Sequence, residues 1–421
     1  MRLVRTVFLT ALLGSVWIFS EPASAQGLIQ GRSLGMANAF TSIARGVYAP
    51  GWNPANLALD GNPGFDFNLV GVGIRVGNST LSKHFYDLYN GKTLNEKDKS
   101  DILNRVPDNG LRFLMDTQLQ ALGVAYKSFA FTVSGFAGTN IAIDKDYLDI
   151  VLHGIDMNRK YSLGDNQGGS LSYSKIAFSA AHRFSVPFVD FVAVGVNAGY
   201  LVGIGVAEIR QMQAEFYNSY DGYADGKLLA RYALLGRGFS LDLGVATVYK
   251  NWNVGLAVSN MLGSIKWTGE RKAHWESFRT LVNLNVFSVS QTSDGDSIVQ
   301  RDSSDYTPPP FSTRLPVEMR IGASRTWRSF LFAVDYHQGF ANRPGVSPKP
   351  YLAVGGEWHG IGFLPLRFGL GLGGYYGISP AMGFGLHAGF FKFDLGWMFR
   401  GGLLPSYAKG VSLGMNLNFR F

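Results

Sequence analysis

The chain contains no cysteine and little charge. Cysteine is absent from all 421 residues, which excludes disulfide bonds and a lipid-modified cysteine. Charged residues make up only 16% of the sequence, and its 38 basic residues form no basic cluster against the 30 acidic ones. Nucleic acid is therefore not an expected partner. We expect the charged side chains mainly on a solvated loop surface.

The sequence also lacks apolar runs of about 18 residues, the length that a membrane helix needs. The nearest approach, residues 7–19, is shorter and follows Arg2 and Arg5. It precedes the small residues Ala23 and Ala25, and this order is typical of a secretory signal peptide. We therefore expect residues 1–25 to be cleaved near Ala25 on export.

Glycine and aromatic residues are abundant. The chain has 53 glycines, and aromatics make up 14% of it, whereas glycine averages about 7% in proteins. Only helices and closed β-barrels satisfy all backbone polar groups in lipid. An exported chain without a membrane helix is therefore predicted to be all-β, a transmembrane antiparallel β-barrel in the outer membrane of a Gram-negative bacterium.

Strict period-two alternation supports this interpretation. In VSLGMNLNFRF (residues 411–421) every odd residue is apolar, and the even residues are small or polar. Similar segments predict about fourteen strands, long enough to cross a bilayer when tilted. These strands are 64–77, 113–126, 129–143, 168–184, 190–208, 232–249, 252–268, 316–327, 330–338, 350–359, 364–374, 382–390, 391–400 and 410–421.

Short and long connections alternate along the chain. An even number of strands places both ends in the periplasm and the long loops outside. Aromatic residues gather at the short turns, as Tyr126, Phe129, Tyr249 and Trp252 do, which predicts a periplasmic girdle. In strand 168–184 the apolar register shifts across Lys175, and we interpret this shift as a β-bulge.

The segment before the first strand is irregular. It reads GRSLGMANAFTSIARGVYAPGWNPANLAL (residues 31–59), and Pro54 both breaks any helix and forces Asn53 to be extended. Its small residues suit a crowded interior. We therefore assign residues 26–63 to a plug and residues 64–421 to the barrel.

This opening resembles that of FadL-like outer-membrane transporters, whose luminal hatch carries an Asn-Pro-Ala motif, here Asn53, Pro54 and Ala55. The opening also resembles that of an uncharacterised Bacteroidetes-type outer-membrane barrel family. The resemblance implies a fourteen-stranded barrel with an N-terminal luminal hatch. A terminal aromatic strand, here with Phe419 and Phe421, also resembles the signal that the barrel assembly machinery reads.

Charges on the predicted inner face form a candidate lumen network. Both signs occur, so an ionic network that braces lumen and hatch is preferred to an ion-selective ring, because unpaired buried charge is costly. The members are Arg75, Glu318, Arg320, Asp335, Glu357, Arg367, Lys392 and Asp394.

The long loops contain apolar side chains that solvated loops seldom keep. Two interpretations remain open, a cap of short helices packed on one another and an apolar groove that captures a solute. The candidate capture residues are Phe85, Tyr86, Tyr147, Leu148, Trp275 and Phe278.

The sequence has no GxSxG, HExxH or Walker motif. GLGLGG (residues 369–374) lies in an alternating strand, so dinucleotide binding is not expected there. We therefore expect no enzyme activity, cofactor or metal.

The sequence predicts a monomeric channel for passive uptake of hydrophobic small molecules such as fatty acids. The alternative is a structural or secretion-associated barrel whose loops bind envelope or secreted proteins. Expected partners are outer-membrane lipid, the barrel assembly machinery and a hydrophobic ligand.

Overall fold

The computed structural model describes residues 30–108, 110–164, 168–187, 189–219, 222–280, 299–340 and 349–421. The predicted signal peptide, residues 1–25, lies outside the described residues. So do residues 281–298, which belong to the long connection predicted between strands 252–268 and 316–327.

Nineteen strand segments form one antiparallel sheet in the described part of the chain. They are β1 Phe65–Asn78, β2 Leu111–Tyr126, β3 Phe129–Ile143, β4 Arg159–Ser162, β5 Gly168–Val186, β6 Val189–Asn218, β7 Tyr223–Tyr249, β8 Trp252–Ser259, β9 Ser264–Trp267, β10 Arg271–Thr280, β11 Val299–Tyr306, β12 Phe311–Arg314, β13 Glu318–Trp327, β14 Phe330–Gly339, β15 Tyr351–Trp358, β16 Leu366–Gly373, β17 Ser379–Ala388, β18 Phe391–Arg400 and β19 Gly410–Arg420.

The sheet closes on itself because β1 pairs with both β2 and β19. β8 and β9 continue one wall strand into β10, and β11 and β12 lead into β13 as the next. β4 is a short addition to β6. Counted this way, the described residues form a closed barrel of fourteen wall strands, which confirms the fold predicted from alternation.

The alternation has the physical cause that the sequence indicates. In β14, Leu331, Ala333 and Asp335 face the lumen and are buried, whereas Phe332 and Val334 face outward and are exposed. The outward apolar set can face lipid only because every strand has a hydrogen-bonded neighbour.

Helices lie in the connections and in the N-terminal segment. They are α1 Gly31–Gly35, α2 Ala49–Trp52, α3 Lys83–Tyr89, α4 Glu96–Arg105 and α5 Lys145–His153, with 3-10 turns at Gly46–Tyr48, Pro54–Ala58 and Pro405–Tyr407. Across the described ranges, no helix is both long enough and apolar enough to span a membrane.

Two predicted loops are wrong in part. Residues 209–231 and 269–315 were expected to be long loops. β6 and β7 continue through most of the first, and β10, β11 and β12 lie in the second. Both faces of this extension are partly exposed, so its residues do not alternate as strongly as those of a half-buried strand.

The bulge predicted across Lys175 is also wrong. β5 pairs with β3 without interruption from Gly168 to Ala180. The register shift is against β6, between Ser172 and Tyr173, where Ile204 is the extra residue. In the part of β5 nearer the long loops, the apolar side chains face the lumen and the serines face outward. The apolar residues therefore change face along β5 without an extra residue in that strand.

Candidate functional site: the lumen and its hatch segment

Residues 30–63, here called the hatch segment, fill the lower part of the lumen, which is the part nearer the short turns. Most of its side chains are buried, and its aromatic core joins Trp52 to Phe40, with ring centroids 5.4 Å apart, and Phe40 to Tyr48 at 6.0 Å. This core packs directly against wall residues such as Leu331 and Ala353. The lumen is therefore closed at this level by packed side chains.

The Asn-Pro-Ala motif lies against the inner wall. The side-chain oxygen of Asn53 accepts a hydrogen bond from the Ala55 amide at 3.1 Å and so caps the 3-10 turn that Pro54 begins. The amide nitrogen of the same side chain donates to the carbonyl oxygen of Val245 at 3.0 Å. One asparagine therefore both shapes the hatch segment and attaches it to β7.

Glycines make room for this attachment. A Cβ atom on Gly195 would overlap the backbone of Ala55, and one on Gly244 would overlap the Asn53 side chain. Other wall glycines leave space for the hatch segment in the same way, because a Cβ atom on them would lie too close to it. They are Gly255, Gly322, Gly355, Gly369, Gly383, Gly396 and Gly414. The abundant glycine of the sequence therefore includes a ring around the lumen that lets the hatch segment approach the wall backbone.

An ionic cluster holds the opposite side of the hatch segment. The Arg32 guanidinium donates to both oxygens of Glu357, at 2.9 and 2.7 Å. Arg367 also pairs with Glu357, and its other nitrogen lies 2.7 Å from Asp394. Burial lowers the pKa of Arg32, but the Glu357 carboxylate outweighs burial and raises that pKa above its ordinary value.

Asp335 and Arg320 bind hatch backbone groups. One oxygen of Asp335 accepts hydrogen bonds from the amides of Phe40 and Thr41, at 3.0 and 2.7 Å. Arg320 pairs with Glu318 at 2.8 Å and donates to the carbonyl oxygen of Gly51 at 3.0 Å. These wall charges therefore satisfy backbone groups that a buried irregular segment would otherwise leave unpaired.

The remaining two predicted network members lie elsewhere. Arg75 pairs with Asp116 across the β1–β2 ladder at 2.6 Å, in the buried wall. Lys392 is half-buried at the lower end of β18, and no ion pair joins it to the described cluster. The structure therefore brings seven of the eight residues into ion pairs or hydrogen bonds, in separate groups, and leaves Lys392 apart.

A polar layer above the hatch segment was not among the candidates. Lys175 lies 2.6 Å from Asp242, and Asn197 donates to the same carboxylate at 2.6 Å and to the Pro50 carbonyl oxygen at 3.4 Å. The sequence signal was present at Lys175, a lone charge in an alternating strand. Its partner could be identified only once the strand order was known.

An apolar layer fills the lumen above that polar layer, toward the long loops. Its centre is Trp267, which is fully buried and packs where Gly203 and Gly236 leave space. The other members are Phe136, Leu171, Tyr173, Leu201, Val206, Ala233, Ile265 and Leu315, with Phe311 at the edge. In these strands the luminal face near the outer end is apolar.

The six candidate capture residues do not form one site. Phe85 is buried in α3 against Tyr89, at 4.9 Å between ring centroids, whereas Tyr86 is exposed. Tyr147 and Leu148 are half-buried in α5. Trp275 and Phe278 lie in β10, at positions of opposite parity and so on opposite faces.

The terminal aromatics lie at the seam of the barrel. Phe421 stacks on Phe390 at 5.4 Å and contacts Phe65 at 6.0 Å, while Phe419 stacks on Phe67 at 6.2 Å. These contacts join β19 to β1 and to the β17–β18 turn.

The described residues contain no cluster of three His, Cys, Asp or Glu side chains suited to a metal ion. His359 lies 2.9 Å from Glu357, which is already bound by two arginines.

The fold and lumen define the class as a closed fourteen-stranded β-barrel with an N-terminal luminal segment. Among solved structures, the chain is similar to the TodX deltaS2S3 mutant, a monoaromatic hydrocarbon channel. The TM-score is 0.51 at 10% identity, covering 94% of this chain and 99% of that one. This similarity confirms the fold that the FadL-like resemblance implied.

The chain is also similar to two further solved structures. The Ralstonia pickettii toluene transporter TbuX has a TM-score of 0.48 at 12% identity, covering 92% of this chain and 98% of that one. A Pseudomonas aeruginosa FadL homologue has a TM-score of 0.47 at 10% identity, covering 96% and 99%.

In sequence, residues 54–235 match the model described as "Family of unknown function (DUF5723)". No curated protein matches the chain.

Proposed function

We propose that this chain is an outer-membrane channel that admits hydrophobic small molecules, such as fatty acids or monoaromatic hydrocarbons. The apolar layer around Trp267 carries the proposal. A channel for polar solutes has a polar, water-filled interior, whereas this lumen presents aromatic and aliphatic side chains below the long loops. A hydrophobic solute would gain about 25 cal/mol for each Å² of apolar surface that leaves water there.

The hatch segment must move for a solute to pass. Its first turn is bound by the buried Arg32–Glu357 ion pair. The Asn53 turn has hydrogen bonds to the wall but no buried ion pair in the described residues. Asn53 donates to the carbonyl oxygen of Val245, and the carbonyl oxygens of Gly51 and Ala58 accept from Arg320 and Arg183. Arg183 adds an ion pair with Asp60, at 2.7 Å, that is partly exposed and therefore weak. We propose that the Asn53 turn is the moving part and the Arg32 turn is its fixed anchor.

The outer-membrane location is part of the same proposal. The outward faces are apolar across the wall, and exposed aromatics such as Tyr126, Trp252, Trp327 and Phe363 mark its short-turn end. Aromatic girdles of this kind flank the apolar band of outer-membrane barrels.

Uptake of a labelled fatty acid tests the proposal. The full-length chain is expressed in a Gram-negative host that lacks its own channel for that solute. We expect the chain to restore uptake, and we expect Leu201→Asn, which places an amide in the apolar layer, to reduce uptake at least fivefold. Val202→Asn is the matched control, because its side chain points outward from the next position of the same strand.

Folded protein is checked by heat-modifiable migration on gels. Absence of uptake with folded wild-type chain would contradict the proposal. Recovery of stoichiometric envelope proteins with the barrel, and no uptake, would favour the structural or secretion-associated alternative.

A further inference from the structure

The outer surface of the barrel carries three cations on adjacent wall strands. Arg237 in β7 is directly opposite Lys266 in β9. On the other side of Lys266 the paired residue is Ser312 of β12, and Arg314 lies two residues further along that strand. All three are exposed, and their neighbours Gly238, Ile265 and Thr313 alternate to the other face. None of the three takes part in an ion pair within the described ranges.

The height of these cations follows from strand geometry. Arg237 lies twelve residues above Tyr249, which belongs to the aromatic girdle at the short-turn end. Twelve residues span about 40 Å along a strand, which is about 30 Å along the axis at a tilt of about 40°. The apolar band of such barrels is about 25 Å tall. The cations therefore lie just above the band, at the level of the outer headgroups.

The outer surface below the cluster differs from it in chemical character. Between the girdle and the level of Arg237, the outward faces of the described wall strands are apolar or small, apart from His182 in β5 and Gln338 in β14. Arg325 lies in the girdle itself, packed over Trp252 at 5.8 Å. Just below the cluster, Phe239 and Leu262 are about 70% exposed and extend the apolar surface up to it.

A groove lies beside the cluster on the outside of the barrel, and none of the three cations lines it. It has a volume of about 680 Å³ and passes Leu234, three residues from Arg237. Its floor is made of small or hydroxyl side chains that alternate with luminal residues, among them Thr139, Ser170 and Ser172. Hydroxyls replace apolar residues here because this is the stretch of β5 whose apolar side chains face inward.

We propose that the cations and the groove bind a phosphorylated glycolipid of the outer leaflet, the lipid A part of lipopolysaccharide. Arginine and lysine bind phosphate oxygens, and basic side chains are attracted to an anionic membrane surface. The groove hydroxyls supply hydrogen bonds for sugar hydroxyls, and Phe239 and Leu262 pack against acyl chains. The inference rests on the proposed outer-membrane location but not on solute uptake.

Binding to the detergent-solubilised full chain tests this inference by native mass spectrometry. The probes are lipid A with two phosphates, its monophosphoryl form, and phosphatidylglycerol. We expect the bisphosphorylated form to bind at least tenfold more tightly than either of the others. A triple variant, Arg237→Gln with Lys266→Gln and Arg314→Gln, is expected to bind it at least tenfold more weakly.

The matched control removes three cations elsewhere, by Lys97→Gln, Lys227→Gln and Arg301→Gln. These side chains are exposed at the long-loop end, so net charge falls equally, and we expect binding within twofold of wild type. Ser172→Ala with Thr139→Val should reduce the preference for lipid A over phosphatidylglycerol. If the triple variant is poorly folded, Lys266→Glu alone provides the measurement.

Equal binding by wild type and the cation variant would overturn the inference. So would an equal loss in the control, which would indicate unspecific electrostatics. Tight lipid A binding by a chain that transports no solute would leave this site standing and overturn only the proposed uptake.

Discussion

The side-chain amide of Asn53 donates a 3.0 Å hydrogen bond to the carbonyl oxygen of Val245, the residue after Gly244 in β7. The absence of a Cβ on Gly244 is what leaves room for Asn53. This pair joins the hatch segment to the barrel wall at the place where we propose movement, and it can be perturbed from either side.

Changing the wall side introduces a steric clash. Gly244→Ala places a methyl group where the Asn53 oxygen lies, so either the hatch segment or the strand must shift, at a cost of about 1–3 kcal/mol. We expect a barrel that still assembles but admits more of a small polar antibiotic in cell-sensitivity assays. Gly356→Ala is the control, since its nearest neighbour is an ordinary contact at 3.9 Å.

Changing the hatch side removes a donor. Asn53→Asp can still accept from the Ala55 amide but cannot donate to Val245, and it places a carboxylate in a fully buried position. We expect the Asn53 turn to loosen by about 1–3 kcal/mol. Hydrogen exchange of residues 49–59 should rise while heat-modifiable migration of the barrel stays unchanged. Faster exchange throughout the wall strands would show instead that the turn only stabilises the barrel.

Glu357 is expected to matter most for stability. Glu357→Gln leaves the Arg32 and Arg367 guanidinium groups without their shared carboxylate in a buried site, where breaking such a pair costs about 3–5 kcal/mol. The thermal unfolding midpoint should fall markedly. Asp87→Asn, which breaks the exposed Lys83–Asp87 pair, should change it very little. Similar midpoints for both variants would contradict the proposed anchor.

His274 gives the β10–β11 extension a pH dependence. Its hydrogen bond to Asp305, and then that to Glu276, raise the His274 pKa above its ordinary value of about 6.5. A raised pKa stabilises the folded extension fully below about pH 6.5, and this stabilisation is lost as the pH rises through the raised pKa. NMR titration of His274 should give the higher value, and Asp305→Asn should lower it. An unchanged pKa in Asp305→Asn would refute the pairing.

The sequence predicted the barrel well because lipid imposes a simple rule. A wall strand with one face toward lipid must alternate apolar and polar residues. All fourteen wall strands could therefore be recognised, including the first and the last, which pair to close the sheet. The β6–β7–β10 extension was missed because water contacts both of its faces. In β11, for example, nearly every residue is exposed, and no periodicity remains to be seen.

The site was predicted less completely than the fold. Inward charges such as Glu357 and Asp335 could be recognised from strand parity, but their partners depend on register and on the path of the hatch segment. Arg75 meets Asp116 only because β1 and β2 pair in one register. The hatch amides that Asp335 binds leave no trace in a residue pattern. The cations Arg237 and Lys266 become neighbours only when β7 pairs with β9.

The most direct test of the central claim compares a hydrophobic solute with a polar one in the same cells. Uptake of a labelled long-chain fatty acid and of a labelled sugar is measured with wild-type chain, Leu201→Asn and Val202→Asn. We predict fatty-acid uptake by wild type and Val202→Asn, a loss of at least fivefold in Leu201→Asn, and no sugar uptake above the empty host. Sugar uptake by the wild-type chain, or fatty-acid uptake unaffected by Leu201→Asn, would contradict it.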